Sequence, residues 1–99
     1  MEINLVLLRN SIDSILTMLT DNYGAIIEID NTLYWNVPDD ELVNIEAKPS
    51  HLDLGDLDYE YELIRSRFES DFLIPVDLQD ISALLRMIAI EHPAFSKKH

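Results

Sequence analysis

Acidic side chains are concentrated in the middle of this chain, and their distribution limits how the chain can fold. From Glu28 to Glu62 the sequence has eleven carboxylates and one Lys or Arg, Lys48, which gives this segment −10 of the formal net charge of −12. Unpaired like charges in a folded state repel one another and lower its stability. The segment must therefore be spread over solvated surface or face a partner that compensates its charge.

The length of the chain fits one domain. Ninety-nine residues leave no room for a second core. A hydrophobic content of 47% argues against wholesale disorder. We expect a single compact domain over residues 1–93 and a flexible tail over residues 94–99.

The residues that are missing also restrict the function. The chain has no cysteine, which excludes disulfides, thiolate chemistry and Cys-based zinc sites. No apolar run approaches the roughly 20 residues of a membrane span, and no basic start precedes an apolar stretch as in a signal peptide. These features predict a cytoplasmic protein that does not bind membranes.

Two segments before residue 70 have the apolar spacing of amphipathic helices. Helix 1 is predicted within residues 3–20 and stops at Gly24, because glycine suits the left-handed backbone at a helix end. Helix 2 is predicted to begin at Asp53 or Asp56 and to end near Glu69. The apolar side of helix 2 is expected to consist of Leu57, Tyr61, Ile64 and Phe68.

A third helix is predicted near the end of the chain, with Asp77 as its N-cap and its end before His92. Apolar residues cover more than half of its circumference. A helix of this kind is either central in the core or shared with a second copy of the chain. We favour the central position for helix 3.

The residues between helices 1 and 2 predict β-structure. Residues 25–37 are rich in β-branched and aromatic side chains and flank Asp30-Asn31, which suits a two-residue reversal. Pro38 blocks continuation of the strand, and residues 38–42 suit a short helical turn with acids at its positive end. The predicted fold class is α+β: three main helices, with a two-stranded antiparallel hairpin between helix 1 and helix 2.

The sequence lacks the patterns of a catalytic site. His99 ends the chain and His92 lies beside a proline, so His51 is the remaining histidine candidate, and a surface-loop position explains it better than a pair with Asp53. Two glycines leave no phosphate-binding loop, and no Ser-His-Asp pattern is present. We expect a protein that is not an enzyme.

A metal site is also disfavoured. Asp53, Asp56 and Asp58 offer oxygen ligands within six residues, but a calcium loop alternates its acids and then places a glycine and a distal glutamate. Here Gly55 precedes Asp56, which suits a helix start. We expect no metal ion and no cofactor.

Two interpretations of the acidic segment remain. In the first it is a solvated helix face, on which Asp58, Glu62, Arg65 and Glu69 pair at spacings of three or four. In the second it binds a basic partner, because aromatic side chains anchor interfaces while carboxylates steer association. We favour the second. The predicted partner-binding residues are Tyr34, Trp35, Asp39, Asp40, Glu41, Asp53, Asp56, Tyr59 and Glu60.

The orientation of the aromatic residues follows from their elements. Tyr34 and Trp35 are neighbours on a strand, so one packs inward and the other points outward. On helix 2, Tyr59 should project outward, whereas Tyr61 belongs to the apolar side. An outward ring among carboxylates would make a suitable anchor for a partner.

Part of the sequence resembles a group of small acidic bacterial proteins. The pattern is Tyr34-Trp35-x-(Ile/Val)-Pro, followed by Leu52-x-(Leu/Ile)-Gly55-x-Leu57, and the segment 81–88 resembles their last helix. The resemblance covers roughly residues 26–90 and implies no catalytic residues.

In size, acidity and lack of cysteine the chain also resembles the immunity proteins of contact-dependent growth inhibition (CDI) and related bacterial toxin systems. This resemblance implies an antitoxin that binds and blocks a basic cognate toxin domain, commonly a nuclease. It does not imply direct binding of nucleic acid.

Two other functions fit the same residues. A nucleic-acid mimic of the anti-restriction or anti-CRISPR type would place its carboxylates in the channel of a defence nuclease. A dimeric adaptor would instead pair two copies of the chain through helix 3. We favour the immunity protein.

Overall fold

The computed structural model describes residues 1–43 and 52–93. Its element order is α1 (Leu5–Tyr23), β1 (Leu33–Asn36), α2 (Asp39–Leu42), β2 (Asp53–Asp56), α3 (Leu57–Glu69) and α4 (Pro75–Glu91). The predicted helices 1, 2 and 3 correspond to α1, α3 and α4. The predicted α+β fold is confirmed, with an antiparallel pair of strands between the first two long helices.

Some expectations lie outside the described residues. These are the surface-loop position of the candidate His51 and the tail over residues 94–99.

The chain divides into two compact units. One contains residues 1–29 and the described residues from Ile88 onward, and the other is Asp30–Met87. Helix α4 contributes residues to both. The single domain over residues 1–93 and the central position of the third helix stay predictions.

In the first unit, α1 ends at Gly24 as its sequence predicts, and it begins after a cap at Asn4 that was not predicted. The Asn4 side chain accepts the Leu7 N–H at 3.0 Å and caps the start of the helix. At the other end Gly24 has a φ of 93°, where glycine is favoured, and donates its N–H to the Thr20 carbonyl at 2.8 Å. Leu19 is the buried apolar side chain of this helix.

His92 has a structural position in the same unit. Its Nε2 lies 2.6 Å from the Glu28 carbonyl oxygen, and its ring meets Tyr23 edge-on at a centroid distance of 5.0 Å. These contacts join the end of α4 to the segment that follows α1.

In the second unit, β1 and β2 pair so that Tyr34 lies opposite Gly55 and Trp35 lies opposite Leu54. The expected reversal at Asp30-Asn31 is therefore wrong, since β1 pairs with residues 53–56 and not with residues 25–29. The physical reason lies at Gly55. A Cβ atom there would collide with the Tyr34 ring, so the ring fits only against a glycine.

The two halves of the Tyr-Trp and Leu-Gly sequence pattern are thus the two strands of one sheet. Tyr34 and Trp35 belong to β1, and their opposite residues, Gly55 and Leu54, belong to β2. The pattern has a structural reason, because a large ring on one strand requires a glycine across from it.

Helix α4 begins earlier than its sequence predicts. Pro75 is its first residue, which suits a position where no helical N–H is needed, and Asp77 is its third. The Asp77 carboxylate reaches back to accept the Ile74 N–H at 2.9 Å. The prediction that Asp77 is the N-cap is therefore wrong by position, although its side chain does satisfy a backbone donor at the start of the helix.

We predict that Gly55→Ala destabilises the protein by roughly 1–3 kcal/mol, because the added methyl group must displace the Tyr34 ring. The measurement is urea unfolding, with the exposed neighbour Leu54→Ala as control. In a Tyr34→Ala background the same glycine substitution should cost much less. Additive costs in this double-mutant cycle would contradict the proposed contact.

Candidate functional site

An apolar surface lies on one face of the β1–β2 sheet. Leu33, Trp35 and Leu54 share this face with Asp56, and we call these four residues the outer sheet face. The three apolar side chains are 56%, 65% and 60% exposed, respectively. One of Tyr34 and Trp35 was predicted to point outward, and the outward residue is Trp35, the chain's single tryptophan.

The backbone hydrogen bonds explain how closely Trp35 and Leu54 approach. The Leu57 N–H donates to the Thr32 carbonyl at 2.7 Å, so Thr32 and Leu57 form a hydrogen-bonded pair. Hydrogen-bonded and non-hydrogen-bonded pairs alternate along an antiparallel ladder. Tyr34 and Gly55 are therefore a hydrogen-bonded pair, whereas Trp35 and Leu54 are a non-hydrogen-bonded pair. Side chains are closer in pairs of the second kind, so these two form one continuous apolar surface.

Tyr34 points to the other face and is half-buried. Its hydroxyl donates to the Glu60 carboxylate, with oxygen distances of 2.8 and 3.0 Å. Burial raises the pKa of Tyr34 well above its ordinary value, and the bond to Glu60 raises it further. Tyr34 and Glu60 were both expected to bind a partner, but the structure places them against each other.

Asp56 performs the helix-start role that its sequence position indicates. It is the N-cap of α3, and its Oδ1 accepts the backbone N–H groups of Asp58 at 3.0 Å and Tyr59 at 3.4 Å. The Asp56 N–H in turn donates to Glu60 Oε2 at 3.3 Å. Two of the predicted steering acids therefore stabilise the junction between β2 and α3.

The geometry also bears on the candidate metal ligands. Asp53 and Asp56 are three residues apart on one strand, so their side chains leave opposite faces of the sheet. Within residues 1–43 and 52–93, no group of three acidic or histidine side chains is placed to hold a metal ion.

The side chains of α3 that are buried or half-buried differ from those that its apolar spacing predicts. Leu57 is buried as expected, but Tyr61 and Phe68 are 55% and 69% exposed. Glu60 and Arg67 are instead half-buried, because each has a polar partner inside the unit. The prediction that Tyr61 and Phe68 belong to the covered side is wrong.

Other predicted residues of α3 lie as expected. Tyr59 is 64% exposed and projects outward. Glu62 and Arg65 form an exposed ion pair at 3.3 Å, which agrees with part of the predicted ladder on this helix.

The acids of α2 lie at its start. Asp39, Asp40 and Glu41 occupy its first turn, where carboxylates interact favourably with the helix dipole. Asp39 Oδ2 accepts a long hydrogen bond from Gln79 Nε2 at 3.4 Å. Asp40 is exposed and Glu41 is half-buried.

A buried ion pair joins α3 to α4 and was not found by sequence reasoning. Arg67 Nε donates to both oxygens of Asp77 at 2.9 and 3.1 Å, and Arg67 Nη2 lies 2.8 Å from Oδ1. Asp77 is only 2% exposed. Pro75 is the sequence signal that could have indicated this role, since it places Asp77 on the inward-reaching third position of the helix.

Asp80 lies beside this pair without the same stabilisation. Burial raises the pKa of Asp80, the Asp77 charge raises it further, and Arg67 opposes both effects. Arg67 lowers the pKa of Asp77, as does the Ile74 N–H, while burial acts in the opposite direction. Arg67 thus stabilises the ionised form of Asp77 more than that of Asp80.

Comparison with known proteins adds no relative: no family model, curated protein or solved structure matches this chain. Within the described part of the chain, none of the helices is long and apolar enough to cross a membrane.

We predict that Asp77→Asn and Asp80→Asn have opposite effects at pH 7. The first substitution removes a carboxylate whose folded-state pKa is lowered, so it should reduce the melting temperature by more than about 5 °C. The second removes a carboxylate whose folded-state pKa is raised, so it should increase the melting temperature by roughly 2–5 °C.

The pH dependence provides the check. Asp77 contributes stability at pH values above its unfolded-state pKa of about 4. This contribution is lost as pH falls through the lowered pKa that Asp77 has in the folded state. Ionised Asp80 lowers the stability of the folded state. This loss is complete at pH values above the raised pKa of Asp80 in the folded state, and it disappears as pH falls below the unfolded-state pKa of about 4. When thermal unfolding is measured from pH 3 to 8, the difference in melting temperature between each variant and the parent protein should become smaller in acid. A destabilised Asp80→Asn variant at pH 7 would contradict this account.

Proposed function

We propose that this chain is a non-enzymatic immunity protein that binds and occludes a basic cognate toxin domain, with a nuclease as the expected toxin. The observation that carries the proposal is the outer sheet face. It exposes Trp35 beside Leu54 and Leu33 within the segment that holds most of the negative charge. Exposed aromatic residues in such surroundings are typical of interface anchors.

The structure supports a division of labour among the predicted binding residues. Trp35 and Tyr59 are exposed rings that can enter a partner's pocket. Tyr34, Asp56 and Glu60 are engaged within the protein, where they hold the sheet to α3. The other acids of the predicted set add to the negative field that steers a basic partner: Asp39, Asp40, Glu41 and Asp53.

The proposed mechanism is occlusion. A nuclease holds nucleic-acid phosphates with Lys and Arg side chains, and a strongly acidic protein meets such a surface rapidly because long-range attraction steers the encounter. Apolar contact at Trp35 and Leu54 then excludes water from the centre of the interface. The toxin's cationic residues are thereby covered and cannot reach nucleic acid.

The experiment is co-expression of the tagged chain with the product of the gene immediately upstream. Purification at about 0.3 M salt weakens purely electrostatic association, because charges are then screened within less than 10 Å. A stoichiometric complex, together with growth rescue when the neighbour is toxic alone, supports the proposal.

Two other outcomes would replace this function. Protection against several unrelated nucleases, lost when generic nucleic acid competes, would indicate a nucleic-acid mimic. The absence of a complex and of toxicity, with a salt-resistant homodimer of the chain, would indicate the dimeric adaptor.

We predict that Trp35→Ala weakens the complex by roughly 30-fold or more, which is the loss expected for a central aromatic anchor. Phe68→Ala is the matched control, since Phe68 is also aromatic and is 69% exposed on α3. Affinities are measured by calorimetry on variants whose thermal unfolding matches that of the parent. Equal losses for the two variants would contradict the assigned face.

We predict that Asp40→Lys slows association, whereas dissociation changes little, because a rim charge acts mainly on encounter. Glu69→Lys makes the same charge change at the far end of α3 and serves as control. Stopped-flow association at low and high salt should show a larger effect for Asp40→Lys, and the effect should fade with salt. Identical association rates for both variants would contradict a role of Asp40 in steering.

A further inference from the structure

Among the described residues, no further strand pairs with the outer edge of β1. Tyr34 and Asn36 direct their backbone groups toward β2, so Leu33 and Trp35 direct theirs away from it. Within residues 1–43 and 52–93, these outward N–H and C=O groups have no hydrogen-bond partner. Two donors and two acceptors therefore form a short, regular row at the sheet edge, next to the exposed Leu33 and Trp35 side chains.

The opposite edge of the sheet differs. On β2 the outward residues are Leu54 and Asp56, and the Asp56 N–H is already taken by Glu60 Oε2 at 3.3 Å. Helix α3 begins at the next residue, Leu57, which ends the strand there. An added strand could form a regular ladder with β1 but not along the whole of β2.

Charge determines which strand can pair with this edge. Asp30 precedes β1 by three residues, and Asp39 and Asp40 follow it by three and four. A second copy would bring the same acids against them, and like charges at such an edge oppose pairing. A segment with Lys or Arg at alternate positions would place cations near these acids, while its apolar residues would cover Trp35.

We propose that the outer edge of β1 accepts an extended basic segment of the partner, which adds a third strand to the sheet. This inference rests on the proposed function and specifies how the toxin docks. Main-chain hydrogen bonds to Leu33 and Trp35 provide the pairing, and the outer sheet face receives the apolar side chains of the added strand. A four-residue edge at about 3.3 Å per residue sets the length of the paired stretch near 13 Å.

The test uses a synthetic probe, acetyl-Lys-Val-Lys-Val-Lys-Val-amide, with nuclear magnetic resonance detection of amide hydrogen exchange. Binding should slow exchange of the Leu33 and Trp35 amides by about tenfold or more, since they exchange freely until a strand pairs with them. The Tyr34 amide, already bonded within the sheet, should change little. A peptide of the same sequence that is N-methylated at every residue has lost the backbone donors of both its edges, so it cannot form the ladder and should bind about tenfold more weakly or worse.

Leu33→Pro provides the matching change in the protein. Proline is tolerated on an edge strand where the N–H faces solvent, so it removes one outward donor while the β1–β2 ladder remains. Leu33→Ala is the control that loses the side chain and keeps the N–H. We expect the proline variant to bind the probe about tenfold more weakly than the alanine variant, with the Tyr34 amide still protected in both.

Three results would overturn the edge inference: no binding of the probe, equal binding of the N-methylated peptide, or probe binding that leaves Leu33 and Trp35 exchange unchanged. The proposed function has a separate readout in the co-expressed toxin complex. A toxin complex that forms normally with Leu33→Pro, and that leaves the Leu33 and Trp35 amides of the parent chain unprotected, contradicts only the edge. Strand addition of the probe without any toxin complex contradicts only the function.

Discussion

The Tyr34 ring lies against the backbone of Gly55, and its hydroxyl donates to Glu60. These contacts determine three features of the second unit. They fix which strands pair, they attach the sheet to the first turns of α3, and they turn Trp35 to the opposite face, where it remains 65% exposed. The orientation of Trp35 is therefore a consequence of how its neighbour on the strand, Tyr34, is held.

Polar contacts contribute to the packing in the second unit. Glu60 and Arg67 occupy half-buried positions on α3, where apolar residues were expected, while Tyr61 and Phe68 face outward. Breaking such a pair leaves a charge without compensation, so the partners depend strongly on each other. Asp80 shows the opposite situation, because burial and the nearby Asp77 charge disfavour its ionised form.

The sequence predicts the local features of this protein better than its long-range contacts. The end of α1 at Gly24, the cap at Asp56 and the opposite orientations of Tyr34 and Trp35 follow from short-range chemistry and are confirmed. The strand partner of β1 was not predictable from residues 25–37 alone, because it depends on Gly55 about twenty residues away. The Arg67–Asp77 pair was missed for the same reason, since apolar periodicity does not report polar contacts between helices.

The measurement that tests the central claim most directly is collisional quenching of the single tryptophan. If Trp35 is exposed within a negative field, acrylamide should quench its fluorescence efficiently, caesium ions should quench it more strongly than they quench a neutral tryptophan peptide, and iodide should quench it more weakly. The ionic differences should fade as salt is added. A tryptophan that acrylamide cannot reach, or that iodide quenches as well as caesium does, would contradict an acidic surface with an aromatic anchor at its centre.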